Sequence, residues 1–193
     1  MKSYNFFAYL NRMRNIKRWN LMRSVSCENL LEHSAQVAQI AHALAVINNK
    51  IFGGTINPER VTVLALYHDS SEVITGDLPT PVKYYNNDIK QAYKNIEVVA
   101  NYRLLGMLPK EIKSEFAPLL IQDTDDYENK IVKAADKLSA YIKCIEELKS
   151  GNNEFSKAYK STLALLEKNM LPEIKYFLDN FIKGFELTLD ELD

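Results

Sequence analysis

The stretch Leu64-Ala-Leu-Tyr-His68-Asp69-Ser-Ser-Glu72-Val-Ile-Thr-Gly76-Asp77-Leu-Pro79 decides how the chain is read. It begins as an apolar helix and ends at a turn. Between them stand an adjacent His-Asp pair, a Glu one helical turn later and an Asp in the turn. Four groups able to bind a metal or move a proton thus fall within ten residues. A helix that served only as core would not carry them, because buried Asp and His are costly unless paired or metal-bound.

The helix starts at Asn57-Pro58-Glu59, with Asn as N-cap and Pro at the first position, and is expected to run to about Thr75. Val61, Leu64, Ala65, His68 and Glu72 recur by threes and fours along one face, with Asp69 about 100° round from His68. Gly76 breaks the helix, and Asp77-Leu78-Pro79-Thr80-Pro81 reads as a stiff loop.

Outward from this segment the chain reads as helices. Phe6, Phe7, Leu10 and Met13 predict a short amphipathic helix over about 5–15. The basic and aromatic connector Lys17-Arg18-Trp19 and Arg23 follows. A helix over about 27–48 buries Leu30, Val37, Ile40, Ala41 and Leu44, with His33 on that face and His42 opposite; Gly53-Gly54 ends it. Helices are expected at about 88–106 and 110–120, then a polar loop Gln122–Asp126. A long helix follows at about 127–149, with Ile131, Ala135, Leu138, Ile142 and Ile145 as its stripe and Asp136 beside it. Two more run over about 154–170 and 172–183. With no alternating strand, the fold class is an all-α helical globule of mixed crossing angles, formed as a single domain over 1–193.

Composition narrows the function. Of 193 residues, 47% are apolar, enough for a core that buries roughly 70% of the unfolded surface. Lys and Arg number 24 against 25 Asp and Glu, a formal net charge of −1, so nothing global attracts a nucleic acid polymer or a membrane. No apolar run reaches the ~18 residues of a membrane span. The first residues are broken by Asn and Arg too early for a secretory signal. Two cysteines, Cys27 and Cys144, without a CxxC, support neither a disulfide framework nor a structural zinc cluster. A cytoplasmic location is expected.

The donors His33, His68, Asp69 and Asp136 lie on or beside the apolar faces of three predicted helices. If these pack together, two imidazoles and two carboxylates converge, a set suited to a borderline divalent cation with positions left for water and substrate. Taken singly each has a plainer reading: His33 as a hydrogen-bonded core histidine, Asp136 as a helix-surface acid, Asp77 as a turn cap, Trp19 as core. The combination carries the argument.

At these residues the sequence resembles the HD-domain metal-dependent phosphohydrolases, and more narrowly the bacterial 5′-deoxynucleotidase family, which removes phosphate from deoxyribonucleoside 5′-monophosphates. The resembling segments are Arg18-Trp19, Glu28-Asn29 with Glu32-His33-Ser34, Tyr67-His68-Asp69 with Ser71-Glu72-Val73, and the run Thr75-Gly76-Asp77-Leu78-Pro79-Thr80-Pro81-Val82-Lys83-Tyr84. Lys133-Ala134-Ala135-Asp136 and Glu146-Glu147-Leu148 with Gly151-Asn152-Asn153-Glu154-Phe155 complete them. The resemblance implies metal binding by His33, His68, Asp69 and Asp136 and catalytic acid/base work by Glu72. It implies that Arg18 orients the phosphate and Trp19 contacts the nucleotide, with Asp77, Leu78, Pro79 and Thr80 at the sugar and His33, Asp69 and Asp136 also facing the substrate. It implies cobalt or manganese, with nickel, copper, iron and zinc as alternatives, and a homodimer. Asn20 stands where Pro is expected, and the loop at 122–129 is slightly short.

The physical roles agree with this assignment. Two carboxylates offset much of a divalent charge, so a phosphate dianion needs a further cation, and the planar fork of Arg18 matches phosphate oxygens. Glu72, off the metal but on its face, is placed to manage a proton. A carboxylate at Asp77 in this stiff turn can accept from the sugar 3′-hydroxyl and crowd the 2′ side, which would select deoxyribose. The competing readings are an HD phosphohydrolase for a triphosphate or cyclic nucleotide, and a non-catalytic helical module. The aromatic run Phe177, Phe181 and Phe185 offers an apolar face for a dimer.

Overall fold

The computed structural model describes residues 3–83, 85–122, 126–168 and 171–192. Helices α1 (Phe6–Leu10), α2 (Leu30–Ile51), α3 (Pro58–Tyr67), α4 (Glu72–Thr75) and α5 (Thr80–Lys83) form the first half. Helices α6 (Asn87–Gly106), α7 (Lys113–Leu120), α8 (Tyr127–Lys149), α9 (Ser156–Lys168) and α10 (Pro172–Asn180) form the second. Among the described residues there is no strand, only an isolated antiparallel bridge between Lys17 and Asn29. The all-α reading stands. Of the residues read above, Tyr84, the loop residues Asp123, Thr124 and Asp125, and Asn169 and Met170 lie outside the described set.

Three helices make the frame. α2 packs most extensively on α3 and next on α8. Val37, Ile40, Leu44, Val61, Leu64, Ile131, Leu138 and Ile142 close the space between them. Each such side chain contributes about 1.5–3 kcal/mol by leaving water. A second core joins Phe6, Leu104, Leu105, Leu108 and Leu120 under α1, α6 and α7, with Phe6 and Phe116 edge to face at 5.3 Å.

The element ends depart from expectation in instructive ways. α2 starts at Leu30, not near Cys27, because Asn29 is the cap: its side chain accepts from Leu31 and Glu32 N–H at 3.0 Å each, and Glu32 returns a bond to Asn29 N–H at 3.1 Å. After α2 a Cβ on Gly54 would stand 1.7 Å from Asn48 Oδ1, so a larger residue there would displace the Asn48 side chain from its bonds to Tyr127 and Glu173. The first helix tightens into a 3₁₀ turn at Asn11–Asn15.

The largest correction falls on the helix expected to run unbroken to Thr75. It stops at Tyr67, and residues 68–71 are turns linked by bonds from His68 N to Ala65 O and from Ser70 N to Tyr67 O, before α4 begins. His68 Nδ1 donates to Ala65 O at 2.7 Å, so the side chain takes the carbonyl that the next helical turn would have used. The aromatic face at the C-terminus is also corrected. Phe177 is buried in the main core and Phe185 packs on that core, leaving only Phe181 of the three exposed.

Candidate metal and phosphate site

The frame brings together the donors that the sequence scatters. His33 comes from the first turn of α2, His68 and Asp69 from the break after α3, and Asp136 from α8. One ligand atom each from His33, His68 and Asp136 lies within 4.8 Å of the others. Asp69 joins them: its Oδ2 is 3.0 Å from His68 Nε2 and 3.6 Å from His33 Nε2, while Asp136 Oδ1 is 3.3 Å from His33 Nε2.

Hydrogen bonds behind the rings decide which nitrogens face the centre. A carbonyl only accepts, so His68 Nδ1 carries a proton toward Ala65 O. Ser139 Oγ gives its own proton to Gln36 Oε1 at 2.6 Å, so its oxygen accepts from His33 Nδ1 at 3.1 Å. Glu28 Oε1 lies 3.3 Å from the same Nδ1. Both Nε2 atoms are buried without a hydrogen-bond partner. Two imidazoles held from behind through Nδ1, each leaving Nε2 turned toward the carboxylates, are the arrangement by which proteins orient histidine ligands. The donor set fits a divalent cation.

The carboxylates are tuned to stay ionised. Burial pushes Asp69 upward, but the His68 imidazole outweighs it and the net shift is downward. Asp136 moves well below its ordinary value as Lys137, at 2.8 Å, and His33 overcome its burial. Glu72 goes the other way: burial, then the charges of Asp69 and Asp77, raise it to about 9. Its Oε2 is buried without a partner. One acid held protonated beside two held ionised is the separation that acid/base chemistry uses.

Arg18 reaches the same centre from the loop before α2. Its Nη1 is 3.6 Å from Asp69 Oδ2 and its Nε 3.6 Å from Glu28 Oε1, too long for hydrogen bonds, and Nε is buried with no hydrogen-bond partner. The side chain is 13% exposed. A guanidinium buried among acids with unspent N–H groups is ready for a doubly charged oxyanion. Trp19 has φ 56°, a strained left-handed conformation for a bulky residue. Its indole N–H donates to Glu28 Oε2 at 2.8 Å, and its ring packs 5.3 Å from Phe155.

Asp77, Leu78 and Pro79 are half-buried after Gly76, whose φ of +74° ends α4; Thr80 is exposed at the start of α5. Asn20 Nδ2 donates to Asp77 O at 3.3 Å, a bond between the two loops that a proline there could not make. His42 is exposed, as its helical angle required.

Sequence reasoning gave no role to Glu28, Ser139 and Gln36, which hold His33, or to Lys143 and Glu147 further along α8. The available signals were Glu28 beside a helix cap and polar residues one step off the apolar stripe of α8.

Comparison with known proteins follows the same lines. A family described as 5′-deoxynucleotidase YfbR-like matches residues 5–185. A 5′-deoxynucleotidase of Vibrio parahaemolyticus is 57% identical over 193 residues, covering all of both chains. The 5′-deoxynucleotidase YfbR of Escherichia coli is 52% identical, covering all of this chain and 97% of that one. Among solved structures, an HD-domain phosphohydrolase from Listeria innocua superposes with a TM-score of 0.80 at 26% identity, over 94% of this chain and 88% of that one.

Proposed function

Because the chain belongs to the YfbR-like 5′-deoxynucleotidase family, we propose a division of labour among its own residues for that reaction. The chain is a metal-dependent phosphohydrolase that converts deoxyribonucleoside 5′-monophosphates to deoxyribonucleosides and inorganic phosphate. The observation that carries this conclusion is full-length identity of 57% to a 5′-deoxynucleotidase.

His33, His68, Asp69 and Asp136 hold the cation, supported by the two buried Nε2 atoms and the two ionised carboxylates. The mixed N and O set suits a borderline divalent cation, and the family resemblance favours cobalt or manganese among these. When bound, a divalent ion there supplies charge to a phosphate oxygen and acidity to a water. Arg18 takes the remaining phosphate charge through its free N–H groups. Glu72 holds a proton inside the site and delivers it to the sugar 5′-oxygen as that oxygen departs. Glu28 binds Trp19 and backs His33, so it keeps the cation and phosphate subsites in register. Trp19 meets the nucleotide with the ring surface that Phe155 does not cover. Asp77, with Leu78, Pro79 and Thr80, receives the sugar and crowds its 2′ side.

The whole chain acts as one domain in the cytoplasm. Its two cysteines are unpaired, and no helix of the described residues is long and apolar enough to cross a membrane. It works as a homodimer; the exposed Ile96, Val99 and Tyr102 on about one third of the α6 circumference support an apolar contact.

The test is a product assay on metal-loaded protein with dAMP, AMP, dATP and cyclic AMP. Fast release of inorganic phosphate from dAMP and slow release from AMP are expected, with Asp77→Ala narrowing the gap. Equal rates on dAMP and AMP would remove the sugar assignment. Triphosphate release from dATP as the main reaction would remove the monophosphate one.

A further inference from the structure

The chain between Ile16 and Leu30 forms a hairpin-like loop that carries Arg18 and Trp19. Its base is closed by backbone bonds, Arg18 N to Glu28 O at 3.0 Å and Leu30 N to Ile16 O at 2.9 Å. Its far end carries one local turn bond, from Met22 N to Trp19 O at 2.9 Å, and no backbone bond between its two arms. There the backbone is held by side chains of α8 and the turn that follows. Glu147 accepts from Val25 N–H at 2.8 Å, from Ser26 N–H at 3.2 Å and from Asn152 Nδ2 at 2.7 Å. Lys143 donates to Glu147, to Ser26 O at 2.7 Å and to Ser26 Oγ at 2.8 Å. Asn152 Nδ2 also donates to Arg23 O at 2.6 Å, and Glu154 accepts from Arg23 N–H at 3.2 Å.

The Lys143 and Glu147 side chains are only 5% and 1% exposed. A buried ion pair is seldom the cheapest way to fill a core, since apolar residues of similar volume serve as well or better. An apolar pair, however, cannot hold two N–H groups and a carbonyl of an irregular loop. The strained Trp19 backbone points the same way, because a left-handed bulky residue persists only where its surroundings over-determine it. Asp136 and Glu147 also share α8, about 16 Å apart along a rigid helix.

We propose that Glu147, Lys143 and Asn152 are positioning residues for the phosphate subsite. They fasten the Arg18–Trp19 loop to the helix that carries Asp136, and so set the distance from the guanidinium to the cation site. This rests on the assignment of phosphate binding to Arg18.

The test compares the full-length parent with Asn152→Ala, which leaves the buried pair intact, with the double variant Lys143→Met/Glu147→Leu, and with Arg18→Ala. Read well below each melting temperature are the inhibition constant of inorganic phosphate, KM and kcat for dAMP, the fluorescence anisotropy of Trp19, the sole tryptophan, and cobalt affinity. Misplacement by an ångström costs up to about 100-fold in a positioned reaction. Both loop variants should weaken phosphate by about tenfold or more, raise KM for dAMP more than they lower kcat, and lower Trp19 anisotropy, with cobalt affinity within twofold of the parent. If the double variant fails to fold, Asn152→Ala decides alone. Parent-like phosphate inhibition and Trp19 anisotropy in folded variants would overturn the proposal. If Arg18→Ala leaves phosphate inhibition unchanged, the assignment of Arg18 is what fails, and the proposal falls with it.

Discussion

Helix α8 passes through two buried clusters of charge, and they are built on opposite principles. Around Lys143 and Glu147 the carboxylate and ammonium each meet several partners, and neither has a buried atom left without a hydrogen bond. Three turns earlier, around Asp136, the atoms at the centre are unspent: Nε2 of His33 and of His68, Oε2 of Glu72 and Nε of Arg18 are all buried without hydrogen-bond partners. Unpaired buried polar atoms cost about 1–3 kcal/mol each, and more when charged. The first cluster repays its burial within the fold. On the proposed assignment, the second recovers its cost when a cation and an oxyanion bind. Completeness of hydrogen bonding, more than the presence of buried charge, separates the structural cluster from the functional one.

Breaking the functional cluster should give the largest effect on activity. His68→Ala removes a proposed Nε2 ligand, and since losing only a supporting bond behind a ligand costs about 10–100-fold in metal affinity, losing the ligand should cost more than about 100-fold and take activity to background. Calorimetric cobalt titration with a phosphate-release assay reads both. Glu72→Gln keeps shape but not the proton, so kcat should fall about 10²–10⁴-fold with cobalt affinity unchanged. A parallel loss of cobalt binding would make Glu72 a ligand instead.

The structural cluster should respond in stability. Glu147→Gln leaves Lys143 buried without its carboxylate, a change of about 3–5 kcal/mol in urea unfolding. Lys143→Met/Glu147→Leu should cost less than the single change. The pH dependence has a definite sign. Burial pushes Glu147 up, but Lys143, Val25 N–H, Asn152 and Ser26 N–H together hold it at about 2 against an ordinary 4.5. Its stabilisation is therefore complete above pH 4.5 and is lost as pH falls toward 2, on the order of 3 kcal/mol. The parent should lose that much more stability than the double variant between pH 5 and pH 2. The smallest change is expected where the functional cluster is tied to its supports. Glu28→Gln should weaken cobalt binding by about 10-fold, the lower end for a residue behind a ligand, because Ser139 still holds His33.

Much of this was legible in the sequence. His33 and His68 sit at periodic positions on apolar helix faces and Asp136 beside one, so their convergence follows from packing those faces together. The break after Tyr67 was not legible, because it depends on which donor wins Ala65 O, and propensity does not register a ring nitrogen. Nothing in the sequence sets Lys143 and Glu147 apart from any other i,i+4 pair on a helix. Only the loop at Val25 and Ser26, more than a hundred residues away, converts them to a buried hub. Phe177 and Phe185 misled in the same way, since an apolar stripe does not say which surface will cover it.

The most direct test is a cobalt titration of metal-free protein followed by thermal unfolding, on the parent, Asp136→Ala and Lys143→Met/Glu147→Leu. A cation that binds only the folded state raises its stability by RT ln(1 + [L]/Kd). One cobalt per chain and a clear rise in melting temperature are expected for the parent and for the double variant, and neither for Asp136→Ala. Cobalt stabilisation that survives Asp136→Ala, or disappears with the Lys143–Glu147 pair, would contradict the separation of the two clusters.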